Sequence, residues 1–222
     1  MSTVRRARWG LLAGFCLLAM VSRSAAWDEN GHVMVTELAV AGLPSDFPAW
    51  LKDAPNTRRL AYLSAEPDRW RGTHLPAMTH WNNPDHYLDV EFLEPYGLSL
   101  KTLPRLRYEY VGRLAAYRAL HPDAFGPAKA DDDPNLVRIT PGMLPYRVME
   151  LYARIRSGWS TLRTFEKYAD TAESWRIEAA RTRIVQAMGL LSHYIGDAAQ
   201  PLHTTKHFNG WAGDNPNDYT TQ

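Results

Sequence analysis

The chain has little cysteine, no excess of charge of either sign and no long hydrophobic run. One cysteine occurs among its 222 residues, so no disulfide framework can form within it. The 25 basic and 24 acidic residues leave a formal net charge of +1, which excludes a strongly cationic duplex-binding clamp. The apolar run from Trp9 to Val21 is shorter than the ~20 residues that span a membrane. With 45% hydrophobic and 22% charged residues, the chain can nevertheless bury a core.

The N-terminal segment has the pattern of a secretory signal peptide, over residues 1–26. Three arginines precede the apolar run, and Ser24 and Ala26 occupy the small positions before a cleavage site. We therefore expect a secreted or periplasmic protein that begins at Trp27, with an uncleaved N-terminal anchor as the alternative. Cleavage would remove four arginines, no acid and the cysteine, which changes the formal net charge from +1 to −3. Because the mature chain would have no disulfides, bound metal ions are candidates for stabilising its structure.

Helical periodicity dominates residues 27–222, which we predict to form one all-α domain of about six helices. Strand signals are weak, and long loops at Arg69–Pro84 and Pro122–Ile139 are expected to surround a cleft. Pro201 ends the last helix because the residue before a proline avoids the α region. The predicted helices are His32–Ala41, Asn56–Ala65 with Asn56 or Thr57 as N-cap, Leu103–Leu120, Pro141–Arg156 with Thr140 as N-cap, Ser157–Tyr168 as a continuation or a new helix at Gly158, and Ala172–Gln200.

The strongest functional signal is the triplet His193-x3-Asp197-x5-His203. Side chains four residues apart share one face of a helix, about 5–6 Å apart at Cβ, so one cation could contact both His193 and Asp197. His203 follows the helix end and is free to turn back over the same side. Imidazole and carboxylate ligands without thiolate suit zinc in a hydrolytic site. The alternative is a capped, solvated helix end with a His–Asp salt bridge.

Two residues upstream, Asp68 and His86, add to this triplet as candidate metal ligands. Asp68 ends a predicted helix and His86 follows a predicted loop, and either alone is more typical of a structural role. His74 and His80 have no such partners and are expected at the surface, while His121 is expected at a helix end.

Trp27 and His32 form a further spacing, Trp-x4-His, at the expected mature N-terminus. A free α-amine has a pKa of ~7.7–8.0, so it can lose its proton to a metal at neutral pH. The amine and carbonyl of Trp27 could chelate one zinc ion together.

These motifs resemble the trinuclear-zinc, single-strand-specific nucleases of the S-one/P-one type, within the zinc-dependent phospholipase C superfamily. The resemblance covers residues 27 to about 215, and its most specific part is HYIGDAAQPLH over 193–203. It implies an all-helical fold with a multinuclear zinc cleft. The implied ligands are Asp68, His86, His193 and Asp197 on one zinc, Trp27, His32 and the bridging Asp197 on a second, and His203 on a third.

The resemblance also implies substrate contacts. Arg71 would contact the phosphate and act with Asp68 and Asp197 in catalysis, Tyr87 would stack on a base, and Asp89 would hydrogen-bond that base. The implied reaction is hydrolysis of phosphodiester bonds in single-stranded DNA or RNA, as an endonuclease and in some members a 3′-nucleotidase.

The chain departs from the family pattern at the third zinc, because no downstream His-x3-Asp or His-x3-Glu pair follows His203. Either the sequence ends before that pair, which we expect, or the third metal is absent. Two alternative functions stay open: a phospholipase C acting on phospholipid headgroups, and an inactive zinc-binding fragment or pseudoenzyme. No stable protein partner is implied.

Overall fold

The computed structural model describes residues 28–125, 140–168 and 173–221. The predicted signal peptide, Trp27 and most of the predicted 122–139 loop lie outside these residues. The described part is all-α, as predicted, and contains isolated β-bridges but no β-strand. Its α-helices are α1 (Glu29–Ala41), α2 (Ala54–Ser64), α3 (Glu66–Arg71), α4 (Pro76–Asn82), α5 (Arg107–Leu120), α6 (Leu144–Tyr168) and α7 (Trp175–Ala199).

Helix α7 is the central element of the fold. It packs along α6, and its other faces contact α2 and α1. Its apolar positions contribute to three buried clusters, which continue into α5 and α6, into α1 and α2, and along the α6–α7 contact. Burial of the helix on several sides explains why its polar residues near the C-terminal end, His193 and Asp197, are also inaccessible to solvent.

Short 3-10 turns join the helices and carry part of the site. They cover Ala49–Leu51, Asn83–His86, Val90–Tyr96, Pro122–Ala124 and Pro201–His203. The turn Pro201–His203 follows α7 directly, as expected from the proline. The backbone N–H of Leu88 donates to the carbonyl of His203 at 2.9 Å. This hydrogen bond holds the segment after the 83–86 turn next to the C-terminal end of α7.

The predicted loop at Arg69–Pro84 is wrong, because it contains the end of α3 and all of α4. The described part consequently has seven α-helices rather than six. The predicted N-cap of α2 is also wrong: the Asp53 carboxylate accepts from the Asn56 N–H at 2.7 Å, and Pro55 occupies the first turn.

Four further helix starts differ from the prediction. Helix α1 begins at Glu29 rather than His32, and α7 begins at Trp175 rather than Ala172. Helix α5 begins at Arg107 rather than Leu103, since Leu106 is extended and the Pro104 carbonyl accepts a hydrogen bond from the Tyr146 hydroxyl. Helix α6 begins at Leu144 rather than Pro141, and it runs unbroken through Gly158 to Tyr168.

The residues before α6 pair with a distant segment instead of starting the helix. The Pro141 carbonyl accepts from the Asp89 N–H, and Gly142 forms a bridge with Leu88. Gly142 has a φ of 115°, and a Cβ there would lie 2.1 Å from the Tyr87 carbonyl oxygen. Only glycine permits this approach. Helix α6 begins two residues later, at Leu144, so Thr140 is not its N-cap.

Candidate metal centre

Six of the predicted side chains meet at the C-terminal end of α7. His193 and Asp197 project from α7 itself, one turn apart, and the remaining four come from α1, α3 and the two 3-10 turns beside them. All but Asp68 are buried; the Asp68 side chain is 30% exposed and forms the solvent edge of the cluster. The six residues are His32, Asp68, His86, His193, Asp197 and His203.

Asp197 lies between two pairs of histidines. Its Oδ2 is 3.1 Å from both His86 Nδ1 and His193 Nε2. Its Oδ1 is 3.4 Å from both His32 Nε2 and His203 Nε2. Each carboxylate oxygen therefore faces its own pair of imidazole nitrogens, which is the arrangement of a carboxylate that bridges two cations.

Asp68 spans the same two halves from the solvent edge. Its Oδ1 is 3.9 Å from His86 Nδ1, and its Oδ2 is 3.9 Å from His32 Nε2. The two carboxylates thus lie on either side of a set of imidazole nitrogens that belong to different elements of the fold.

The donor atoms lie close together, at distances slightly shorter or longer than the edges of an ideal four-coordinate site. Zinc bonds of ~2.0–2.2 Å to nitrogen and oxygen imply tetrahedral edges of ~3.3–3.6 Å. In the set formed by Asp68, His86, His193 and Asp197, three measured edges are 3.0–3.1 Å and one is 3.9 Å. Two overlapping groups, His32–His193–Asp197 and Asp68–His86–His193, each bring their ligand atoms within 4.8 Å of one another. Buried His and Asp groups that could hold a metal ion are therefore present.

The tautomer of His193 favours a cation at this position. Its Nδ1 lies 2.7 Å from the Ser64 carbonyl oxygen, which can only accept, so Nδ1 carries the proton. Nε2 then points a lone pair at Asp197 Oδ2, a second acceptor, 3.1 Å away. Two buried acceptors at this distance need a positive charge between them, either a proton on Nε2 or a metal ion.

The surroundings give the ligands the charge states that a metal requires. Burial lowers the pKa of His86 to about 4 and also lowers the pKa of His32 and of His203, so these rings are neutral at pH 7. Burial opposes ionisation of Asp197, but the close His193 and His86 ring nitrogens outweigh burial and hold the pKa of that carboxyl well below its usual range. Neutral imidazoles around an ionised carboxylate are ready to bind a divalent cation.

Close packing positions His32 within the cluster. Its ring stacks on that of His193, with centroids 4.0 Å apart and planes inclined by 26°. Its other side lies against Gly196, where a Cβ would be 3.1 Å from His32 Nδ1. Glycine at this position allows α1 to approach α7 closely enough for His32 to reach Asp197.

Asn82 and Tyr194 orient His86, and neither was predicted from the sequence. The Asn82 amide lies 3.0 Å from His86 Nε2, donates to the Pro67 carbonyl at 2.9 Å and accepts from the Tyr194 hydroxyl at 3.1 Å. The spacing of Asn82, four residues before His86, was the available signal. Asn82 Nδ2 faces His86 Nε2 here, so metal binding at His86 Nδ1, which moves the ring proton to Nε2, would require the Asn82 amide to turn its oxygen toward that nitrogen.

A buried ion-pair network supports the turn that carries His86. Asp85 is fully buried, and its carboxylate lies 2.8 Å from Arg107 and 3.5 Å from Arg147. Burial raises the pKa of Asp85 to about 6, although both arginines oppose this shift. Removing one partner would leave a buried charge uncompensated, so this network fixes the 83–86 turn against α5 and α6.

The predicted phosphate contact lies at the solvent edge of the cluster. The Arg71 side chain is 46% exposed, and its guanidinium is 3.3 Å from Asp68 Oδ1. Its charge is thereby held beside Asp68, the most exposed carboxylate of the cluster.

The predicted base contacts, Tyr87 and Asp89, lie in the segment that is hydrogen-bonded to the backbone of His203. Tyr87 is half-buried, and Asp89 is buried beside Glu91. Burial, and then the charge of Glu91, raises the pKa of Asp89 to about 6. The backbone pairing with His203 and Pro141 positions this segment beside the centre.

Other predicted positions have simpler outcomes. His74 and His80 are exposed, and His121 is the C-cap of α5. Trp27, with its predicted amine and carbonyl ligands, lies outside the described residues.

Comparisons with protein-family models, with curated proteins and with solved structures found no match for this chain. Among its described helices, none is both long enough and apolar enough to cross a membrane.

Proposed function

We propose that this protein is a secreted or periplasmic zinc-dependent phosphodiesterase that hydrolyses single-stranded nucleic acid. The observation that carries the proposal is the position of Asp197, whose two oxygens face two separate pairs of histidines. Paired metal sites with centres ~3.5–4 Å apart are typical of hydrolases that act on phosphate esters. The chain's own resemblance to zinc nucleases, carried by the 193–203 motif, agrees with this reaction class.

The residues divide into two ligand groups. Asp68, His86, His193 and the Oδ2 of Asp197 would hold one zinc, and His32 with the Oδ1 of Asp197 would hold a second. His203 Nε2, buried and 3.4 Å from the same Oδ1, is the remaining imidazole available on that side. Bound zinc supplies Lewis acidity, which makes water nucleophilic near neutral pH.

The protein's own groups would bind and orient the phosphate. Arg71 can donate to the non-bridging oxygens, and its partial exposure leaves it free to exchange Asp68 for substrate. The buried histidines exclude bulk water on the inner side, which strengthens the electrostatic attraction between the site and a phosphate. The single-strand preference rests on Tyr87, whose ring could stack an unpaired base, an interaction worth ~1–3 kcal/mol.

The proposal is tested with the chain that begins at Trp27, purified without chelator. Zinc per chain is counted, and the same sample is assayed on single-stranded DNA, on RNA and on phosphatidylcholine. We expect two or more zinc ions and cleavage of nucleic acid. Cleavage of phosphatidylcholine alone would replace the nuclease by a phospholipase, and bound zinc without any turnover would contradict catalysis.

Arg71→Ala separates catalysis from metal binding. Loss of a charge-assisted phosphate contact, worth ~1.5–3 kcal/mol, should lower kcat/KM about 10–100-fold with zinc content unchanged. Arg58→Ala is the matched control, because Arg58 is an exposed arginine on α2 that has no place in the cluster. Equal activity of the two variants would remove Arg71 from the proposed mechanism.

A further inference from the structure

We propose that the substrate strand continues from the metal centre across Trp70 and Trp81 into a cleft lined by arginines, so that the protein binds several nucleotides beyond the scissile bond. This inference rests on the proposed function and identifies its substrate as a single-stranded oligonucleotide rather than a mononucleotide. We call the cleft the arginine cleft. It has a volume of about 280 Å³ and lies where α4, α6 and α7 meet; its lining residues are Trp81, Arg147, Leu151, Arg154, Arg183, Gln186, Ala187 and Leu190.

The arginine cleft has an uncompensated positive charge at its surface. Three arginines and no acid line it. Arg154 and Arg183 are exposed, and neither forms an ion pair with any residue in the ranges 28–125, 140–168 and 173–221. In a chain whose expected mature charge is −3, two unpaired arginines facing one cleft indicate attraction for an anion. Guanidinium groups bind phosphate through paired N–H donors.

The third arginine shapes the aromatic wall of the arginine cleft. Arg147 is 5% exposed and is partly neutralised by Asp85 and Glu150. Its guanidinium carbon lies 4.9 Å from the centre of the Trp81 ring, which fixes the indole by a cation–π contact. Trp81 remains 43% exposed, so part of this fixed ring is available to a ligand. The fixed indole could stack on a base, and the neighbouring unpaired arginines could bind the phosphate attached to it.

The two tryptophans connect the arginine cleft with the metal centre. The rings of Trp70 and Trp81 have centroids 5.9 Å apart, and Trp70 immediately precedes Arg71 in α3. The indole pair therefore links α3, the helix that carries Arg71, with the Trp81 edge of the arginine cleft. A basic groove combined with aromatic rings is characteristic of surfaces that bind single strands without sequence preference.

Helix α7 gives the axial distance between the arginine cleft and the metal centre. Gln186 and Leu190 of the arginine cleft precede His193 and Asp197 with spacings of four, three and four residues, so they follow one face of the helix. Arg183 lies ten residues before His193, or about 15 Å along the axis at the usual helical rise. At ~3.4 Å per stacked nucleotide of one strand, that distance corresponds to about four nucleotides.

The test compares the binding of long and short ligands by the zinc-loaded protein. The probes are thymidylates with phosphorothioate linkages, which keep one negative charge per linkage and resist hydrolysis, in lengths of two and twelve nucleotides. Their dissociation constants are measured by fluorescence anisotropy. The test variant is Arg154→Glu/Arg183→Glu, and the control is Arg105→Glu/Arg163→Glu, which makes the same charge change at exposed arginines outside the arginine cleft.

We expect the test variant to weaken binding of the twelve-nucleotide probe at least about tenfold, and binding of the dinucleotide less than twofold. Loss of two phosphate contacts should also reduce the slope of log Kd against log salt by about 1.4, at ~0.7 per contact for single strands. The control variant should change both constants less than twofold. Equal Kd values for the test and control variants would overturn the proposal.

The failure of this inference is distinguishable from that of the proposed function. If the wild-type protein cleaves nucleic acid but the test variant binds the long probe normally, only the arginine cleft is refuted. In the opposite case, the wild-type protein binds the long probe but cleaves no nucleic acid, while the Arg154→Glu/Arg183→Glu variant no longer binds that probe. This result would support the arginine cleft as a binding site and refute the nuclease. The Trp81→Phe substitution should also weaken binding of the twelve-nucleotide probe, without altering zinc content.

Discussion

The two sides of the metal centre differ in how the fold holds them. The inner side, defined by His86, His193 and Asp197, is at most 1% exposed and is tied to α7, to Asn82 and to the Ser64 carbonyl. The outer side, defined by Asp68, Arg71 and His203, is partly open, and its residues lie on a short helix and a 3-10 turn. We expect rigid burial to serve metal affinity and exposure to serve contact with a substrate. Substitutions on the two sides should therefore fail in different ways.

The largest effect is expected from Asp197→Asn, because this residue belongs to both ligand groups. A neutral amide offers one oxygen and no charge, so we expect zinc per chain to fall below one and activity to be lost. The measurement is zinc content by mass spectrometry, with Glu37→Gln as the control, an exposed carboxylate on α1. Full activity with unchanged zinc content would contradict the bridging role of Asp197.

A smaller effect is expected from Asn82→Ala, which leaves every proposed ligand in place. Loss of the group that orients His86 should weaken zinc affinity about 10–100-fold, as is typical when a hydrogen-bond partner of a metal-binding histidine is removed. Competition with a chelator of known affinity measures this change, and Asn217→Ala provides an exposed control. An unaltered affinity would show that burial alone holds His86.

The outer side should tolerate His203→Ala better than the inner side tolerates the same change. Among the described residues, the ion pair of the His203 ring is with the Oδ1 of Asp197, so we expect this variant to lose at most one zinc and to keep the zinc held with His86 and His193. His193→Ala provides the inner-side comparison and should lose that zinc as well. Equal zinc loss in the two variants would abolish the distinction between the sides.

The smallest effect is expected from Gly196→Ala, compared with Gly112→Ala. A Cβ at Gly196 would crowd His32 at 3.1 Å, so its ring must shift and zinc affinity should fall several-fold. A Cβ at Gly112 meets nothing within 4 Å, and that substitution should stabilise α5 by about 0.5–1 kcal/mol. Chelator competition and thermal unfolding check the pair. A Gly196→Ala variant with wild-type affinity would show that His32 adapts freely.

Local patterns predicted the parts of this molecule that depend on local chemistry. The periodicity of α7, its stop at Pro201 and the one-turn spacing of His193 and Asp197 were all readable from neighbouring residues. The start of α6 was not, because residues 141–143 pair with a segment more than fifty positions away. The arginine cleft and the hydrogen bond from Tyr194 to Asn82 likewise depend on contacts between helices, which no spacing along the chain records.

The most direct test of the central claim is a crystal structure of the chain from Trp27, grown without chelator and measured at the zinc absorption edge. The account predicts two anomalous peaks, one on each side of the Asp197 carboxylate: one within bonding distance of His86 and His193, the other within bonding distance of His32. A structure with no peak in the cluster, and with Asp197 simply hydrogen-bonded to protonated histidines, would contradict the metal centre and the function proposed from it.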